Sequence, residues 1–205
     1  MPDRVQLGSC SLSMGLIAIW CMHYVGNQAI ILGNGEAAIQ LMYNPGFTAL
    51  SSFIPVITLF AAFNVADLRY RGKRSLLSSL FVSGVIAGLA TVGMHYIGNL
   101  GVSNYYIAFD LKSVGGAIGI ACALCVGALA LIFMLQELWL DKLQWRLFGA
   151  VMIAGAVSGM HFEASKGTLY TLAYRMEDMT DSRNTNVIIA TVLVSQGCVR
   201  SDTRC

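Results

Sequence analysis

This chain has three histidines, and each follows a methionine: Met22-His23, Met94-His95 and Met160-His161. An aromatic ring comes next in every case, as Tyr24, Tyr96 and Phe162. Thioether sulfur is a soft donor suited to Cu(I), and imidazole suits copper in either oxidation state. Adjacent residues of a helix point about 100° apart, so a single Met-His pair is a poor chelator. A site built from them is shared between segments. The competing account is that each imidazole only hydrogen-bonds a neighbouring helix, which in a membrane contributes roughly 0.6–2 kcal/mol. Three matched histidines with none elsewhere favour a functional cluster, because ionisable groups inside membrane segments are costly and mark sites. Met14, Met42, Met134, Met152, Met176 and Met179 fit the ordinary gap-filling role of methionine, and the three aromatic rings fit an interfacial belt.

The elements that must carry these residues are membrane helices. Of 205 residues, 56% are apolar and 12% charged, with mean hydropathy +0.66; soluble domains carry about 25% charged residues. Residues 8–31, 37–66, 75–109 and 113–136 contain no Lys, Arg, Asp or Glu. About 20 apolar residues cross a bilayer core, and a chain in lipid satisfies its backbone as helix. Five spans follow, at residues 10–32, 49–66, 76–100, 114–135 and 146–164. A sixth starts near Asn186, but its apolar run, 187–194, makes it short or incomplete. The N-terminus lacks a basic region followed by a small-residue cleavage site, so the first span is expected to be retained.

Charge placement orients the spans. Arg69, Arg71, Lys73 and Arg74 cluster after the second span, and Lys142 and Arg146 lie between the fourth and fifth. The loop at 33–48 has no basic residue, and the one at 101–113 has only Lys112. The positive-inside rule puts the basic loops in the cytoplasm, which leaves the Met-His ends of spans one, three and five facing away from it. The expected location is the plasma membrane, with lipid as the main partner and no nucleic acid.

The histidines are 72 and 66 residues apart. Each repeat reads as a helix ending in Met-His-aromatic, an outer loop with tyrosines, and a return helix. The fold expected is an all-α polytopic bundle of three helical hairpins, with about six transmembrane helices. The repeats cover about 10–66, 76–135 and 146–199, between tails at 1–9 and 200–205. Gly84/Gly88, Gly115/Gly119 and Gly155/Gly159 form G-x-x-x-G pairs, read as close helix packing.

A tripled hairpin with Met-His-Tyr near the outer end of helices one, three and five resembles the MHYT-domain family of integral-membrane sensor modules. The resemblance covers most of the chain, roughly residues 10–199. It implies a copper centre at the outer face, with sensing of oxygen, carbon monoxide or nitric oxide, and Met22, His23, Met94, His95, Met160 and His161 as metal ligands. Many members carry the module ahead of signalling output domains. None fits within these 205 residues, so a separate signalling partner is expected. One departure bears on the site. The family motif has a second methionine four residues after the histidine, where this chain has Asn27, Asn99 and Ser165. Positions i and i+4 share a helix face, so each of these polar side chains is placed to orient its own imidazole, as outer partners do around metals.

Other motifs fall away. Cys122 and Cys125 form C-x-x-C in mid-helix, with no further pair to complete a zinc site. Cys21 precedes the first Met-His, but Gly93 and Gly159 hold the equivalent positions. The sequence "RYRGKRS" lacks the glycine that a phosphate loop requires. No hydrolase arrangement exists, and the chain is not expected to be an enzyme. Glu163, two residues beyond His161, is a candidate proton-handling neighbour. A haem held by two histidines is the alternative cofactor, and a purely structural histidine cluster is the alternative without one.

Overall fold

The structure is a computed structural model that describes residues 4–67, 76–139 and 143–175. The basic cluster at 69–74 and the sixth span lie outside the described residues. Five helices are long and apolar enough to cross a membrane. The first is a continuous rod of three pieces: α1 (Arg4–Leu12), a π-helical segment (Ser13–Cys21) and α2 (Met22–Asn27). The others are α3 (Pro45–Asp67), α4 (Leu76–Leu100), α5 (Leu111–Trp139) and α6 (Leu143–Lys166).

Two return helices begin earlier than hydropathy alone indicates, because polar residues cap them. The Asn44 side-chain oxygen accepts the Gly46 N–H at 2.8 Å, with Pro45 in the first helical position, where it loses no bond. Asp110 accepts the Ser113 N–H at 3.2 Å and so starts α5 at Leu111. The first helix stops at Asn27, five residues short of the hydropathy boundary. The chain then turns through Gly33, Asn34 and Gly35, all with positive φ.

The chain folds back on itself in order: α3 packs on α4, α4 on α5, and α5 on α6. The three motif-bearing helices also meet one another. The α4 helix is the most enclosed, with 56% of its apolar window buried. Of the G-x-x-x-G pairs, Gly84/Gly88 makes the expected close approach. A Cβ on Gly84 would fall 2.5 Å from the Val126 Cα, and one on Gly88 2.7 Å from the Cys122 Cα. Gly115, Gly119 and Gly155 meet nothing within 4 Å among the described residues.

On the motif side, the loops form structure that hydropathy did not predict. β1 (Tyr105–Phe109) and β2 (Thr168–Leu172) pair antiparallel, with Tyr105 opposite Leu172 and Phe109 opposite Thr168. Each segment leaves a row of backbone groups unsatisfied until it meets the other. Asn104 joins three segments on the motif side. Its side chain donates to the Gln40 carbonyl at 2.7 Å and accepts the Met42 N–H at 3.0 Å, and its carbonyl accepts the Ala173 N–H at 3.0 Å. Tyr43 and Val102 form a further bridge. The segments that follow the three motif-bearing helices thus close into one cap beside the motifs.

Candidate metal centre

His23 lies near the end of the first helix, His95 near the end of α4, and His161 near the end of α6. Helix packing brings them together at one depth. His23 and His95 are fully buried and His161 nearly so. Ring centroids are 4.9 Å apart for His23–His95, 5.1 Å for His95–His161 and 5.6 Å for His23–His161. Each pair meets edge to face, and the Nδ1 atoms of His23 and His95 are 3.2 Å apart. One ring nitrogen from each residue falls in a set whose members all lie within 4.8 Å of one another.

Glycine makes this closeness possible. A Cβ on Gly98 would sit 2.6 Å from the His23 Nε2, and one on Gly26 would sit 2.6 Å from the His161 Nε2. Two of the three histidines therefore rest on the glycine three residues past the histidine of another repeat. His23 of the first repeat is seated on the second, and His161 of the third is seated on the first. The third repeat has Ala164 at that position, also buried. The seating role of Gly26 and Gly98 is invisible in the sequence, although their recurrence at the same offset from histidine is a signal.

The polar surroundings are built from the residues that replace the second methionine. The Asn27 Nδ2 lies 3.3 Å from the His23 Nε2, and the Asn99 Nδ2 lies 3.0 Å from the His95 Nε2. The two amides also touch, with Asn27 Nδ2 and Asn99 Oδ1 3.1 Å apart, and the Tyr43 hydroxyl from the loop before α3 approaches the Asn27 Nδ2 at 2.8 Å. The third repeat lacks this arrangement. The Ser165 hydroxyl and the His161 Nδ1 are both buried with no hydrogen-bond partner. Serine is too short to reach back a full turn as asparagine does.

The aromatic ring after each histidine has three different fates. Tyr24 is fully buried and bonds the Ser51 hydroxyl at 3.3 Å, while Trp20 donates to the same oxygen at 3.1 Å. Tyr96 packs in the smaller core cluster with its hydroxyl unpartnered. Phe162 is 79% exposed, and only this ring keeps the expected outward position. Met94 and Met160 are fully buried, in different clusters, and Met22 is half-buried against the cluster that holds Met94. Cys21 is a buried free thiol, and Cys122 and Cys125 are free and half-buried in α5. Glu163 points toward Gly116 of α5, away from the imidazole set.

The donor set fits a metal. Nitrogen ligands at ~2.0–2.1 Å from one ion lie about 3.3–3.6 Å from each other in tetrahedral or trigonal geometry. The observed 3.2 Å between His23 and His95 matches this, and a nitrogen of His161 lies within 4.8 Å of the set. A haem does not fit, because two axial imidazoles must stand on opposite faces of a wide macrocycle. Here the three rings pack edge to face with no slot between them.

Comparison with known proteins adds to this geometry. The family described as "MHYT: Bacterial signalling protein N terminal repeat" matches residues 17–79 and 88–143, together more than half of the chain. The matched segments contain His23 and His95. The chain is also similar to the bifunctional diguanylate cyclase/cyclic di-GMP phosphodiesterase MucR of Pseudomonas aeruginosa, with 32% identity over 117 residues. That alignment covers 57% of this chain but 15% of the relative, so the chain spans a small part of that protein's length. No solved structure matches it.

Proposed function

The chain belongs to the MHYT family of bacterial signalling proteins, and from that premise we propose that it is a membrane sensor module whose three imidazoles hold copper as Cu(I). The observation that carries this reading is the buried donor set, three neutral imidazoles without a carboxylate or thiolate among them. Neutral ligands leave the ion's charge uncompensated, and burying charge in a low-dielectric interior is expensive. The cost grows with the square of the charge, so Cu(I) is tolerated where Zn(II) or Cu(II) is opposed. The unpartnered His161 Nδ1 supports the reading, since a buried nitrogen without a hydrogen bond is unfavourable unless something occupies it. Met22, Met94 and Met160 are the thioether donors available to complete the shell, and Asn27 and Asn99 hold two of the rings.

Three nitrogen ligands leave one further position on the metal, and a diatomic ligand such as O2, CO or NO that competes with a thioether for it is the signal we assign. Cyclic di-GMP turnover, named for the relative, is the output class we assign to a signalling partner. Metal analysis of the purified protein with an ultraviolet-visible spectrum tests the metal reading. One copper per chain is expected. A haem band would replace this reading with electron transfer, and protein free of both copper and haem would leave a hydrogen-bonded histidine cluster.

The pocket belongs, on this reading, to the outer side of the plasma membrane. A cysteine introduced at Gly35, in the outer cap, and one at Gly72, in the basic loop, are expected to react with an impermeant thiol reagent from opposite sides in a cysteine-free background. Labelling of both from one side would overturn the orientation.

A further inference from the structure

The hydrogen bonds around His23 and His95 restrict which ring nitrogens can carry protons. A neutral imidazole has one N–H and one lone pair. The oxygen and nitrogen of an asparagine amide have the same shape, so the network decides which end faces a partner. Asn27 and Asn99 face each other at 3.1 Å, where one must present N–H and the other oxygen. Turning one amide alone would set N–H against N–H or oxygen against oxygen. The two amides turn together or not at all.

Two arrangements remain. In the first, each amide nitrogen donates to the Nε2 of its histidine. Both rings must then carry hydrogen on Nδ1, and those two hydrogens meet across a 3.2 Å gap. Moving one of those hydrogens to Nε2 would relieve that clash only by setting a ring N–H against an amide N–H. In the second, each amide oxygen accepts a hydrogen from Nε2, and the two Nδ1 lone pairs face the gap. A single cation between them removes their repulsion. The Tyr43 hydroxyl fits the second arrangement as a further donor to the Asn27 oxygen. The remaining end of the Asn27 amide is unpartnered either way and does not choose between them.

We infer that Asn27 and Asn99, with their carbonyl oxygens turned to the imidazoles, hold His23 and His95 in the same Nε2–H tautomer and aim both Nδ1 lone pairs at one cation. This rests on the metal reading only for the identity of that cation. The asparagines are positioning residues, and Tyr43 extends their network into the outer cap.

Nitrogen NMR of the full chain with 15N-labelled histidine tests the inference, in metal-free protein and after addition of Cu(I) alone. His161→Gln assigns the third ring by its loss. The expected spectrum shows a proton on Nε2 of both His23 and His95 in either state, and no proton on either Nδ1 once Cu(I) is bound. An unprotonated Nε2 on either ring overturns the inference. Asn99→Asp keeps an acceptor and should retain the His95 Nε2–H signal. Asn99→Leu should lose it and weaken Cu(I) binding on the order of 10–100-fold. If that leucine variant does not fold, the wild-type spectrum still decides. Protein that takes up no Cu(I) would sink the metal reading, while its metal-free spectrum would uphold or refute the tautomer assignment separately.

Discussion

His95→Ala is expected to abolish the copper uptake proposed for the histidine pocket and to leave the helical bundle assembled. His95 is the imidazole closest to both others, at 4.9 and 5.1 Å between ring centroids. Its loss reduces three nitrogen donors to two and opens a gap that neither remaining ring fills. The change also strips the buried Asn99 of its imidazole partner, at a cost of about 1–3 kcal/mol for an unsatisfied polar group. That destabilises the protein without unfolding it, because the packing of α4 on α3 and α5 is untouched. Titration against a competing Cu(I) chelator reads the result. Met152→Leu, eight residues before Met160 and therefore about 12 Å along the helix, serves as the control and is expected to bind as wild type. Wild-type affinity in His95→Ala would remove the shared imidazole site from consideration.

The second large effect comes from a residue with no donor atom. Gly98→Leu is expected to expel His23 from the pocket, since even the first added carbon falls 2.6 Å from its Nε2. Overpacking of this kind costs about 1–3 kcal/mol, and displacing a ligand adds a drop in Cu(I) affinity. The double variant Gly98→Leu/His23→Ala should recover the thermal stability lost in Gly98→Leu while gaining no metal. Recovery of one property without the other is the signature of steric contact between the two residues, which a double-mutant cycle measures. Additive losses would show that Gly98 acts elsewhere. Ala164→Gly, at the equivalent position of the third repeat, should keep copper affinity near wild type.

Much of this architecture was legible in the sequence. Uncharged stretches of membrane length announce helices, and a repeated Met-His at matched places in the first, third and fifth helices announces convergence at one depth. The i+4 offset of Asn27 and Asn99 was enough to predict contact with their own histidines. The same offset misled for Ser165, because spacing says nothing about side-chain reach. What stayed hidden depends on the order of helices around the bundle. Only that order tells which glycine receives which imidazole, and hence why Gly26 and Gly98 matter. Tyr24 and Phe162 hold equivalent places in the motif, yet one is fully buried and the other 79% exposed. The Trp20–Ser51 neighbourhood encloses the first, and residues from other segments decide such burial. The strands at 105–109 and 168–172 were hidden for a related reason: each is a strand only because the other lies beside it.

The seating of imidazoles on glycines of other repeats has a consequence for how the protein is made. His23 enters the membrane with the first hairpin, but its seat at Gly98 is synthesised 75 residues later. Gly26 waits longer, for a histidine 135 residues downstream. At roughly 5–20 residues per second, the first gap lasts about 4–15 s and the second about 7–27 s. Throughout that interval the polar rings of a nascent chain stand in the bilayer without their final neighbours. No hairpin released alone is a smaller working version of the site. The pocket comes into being in one late event, when the last histidine passes into place.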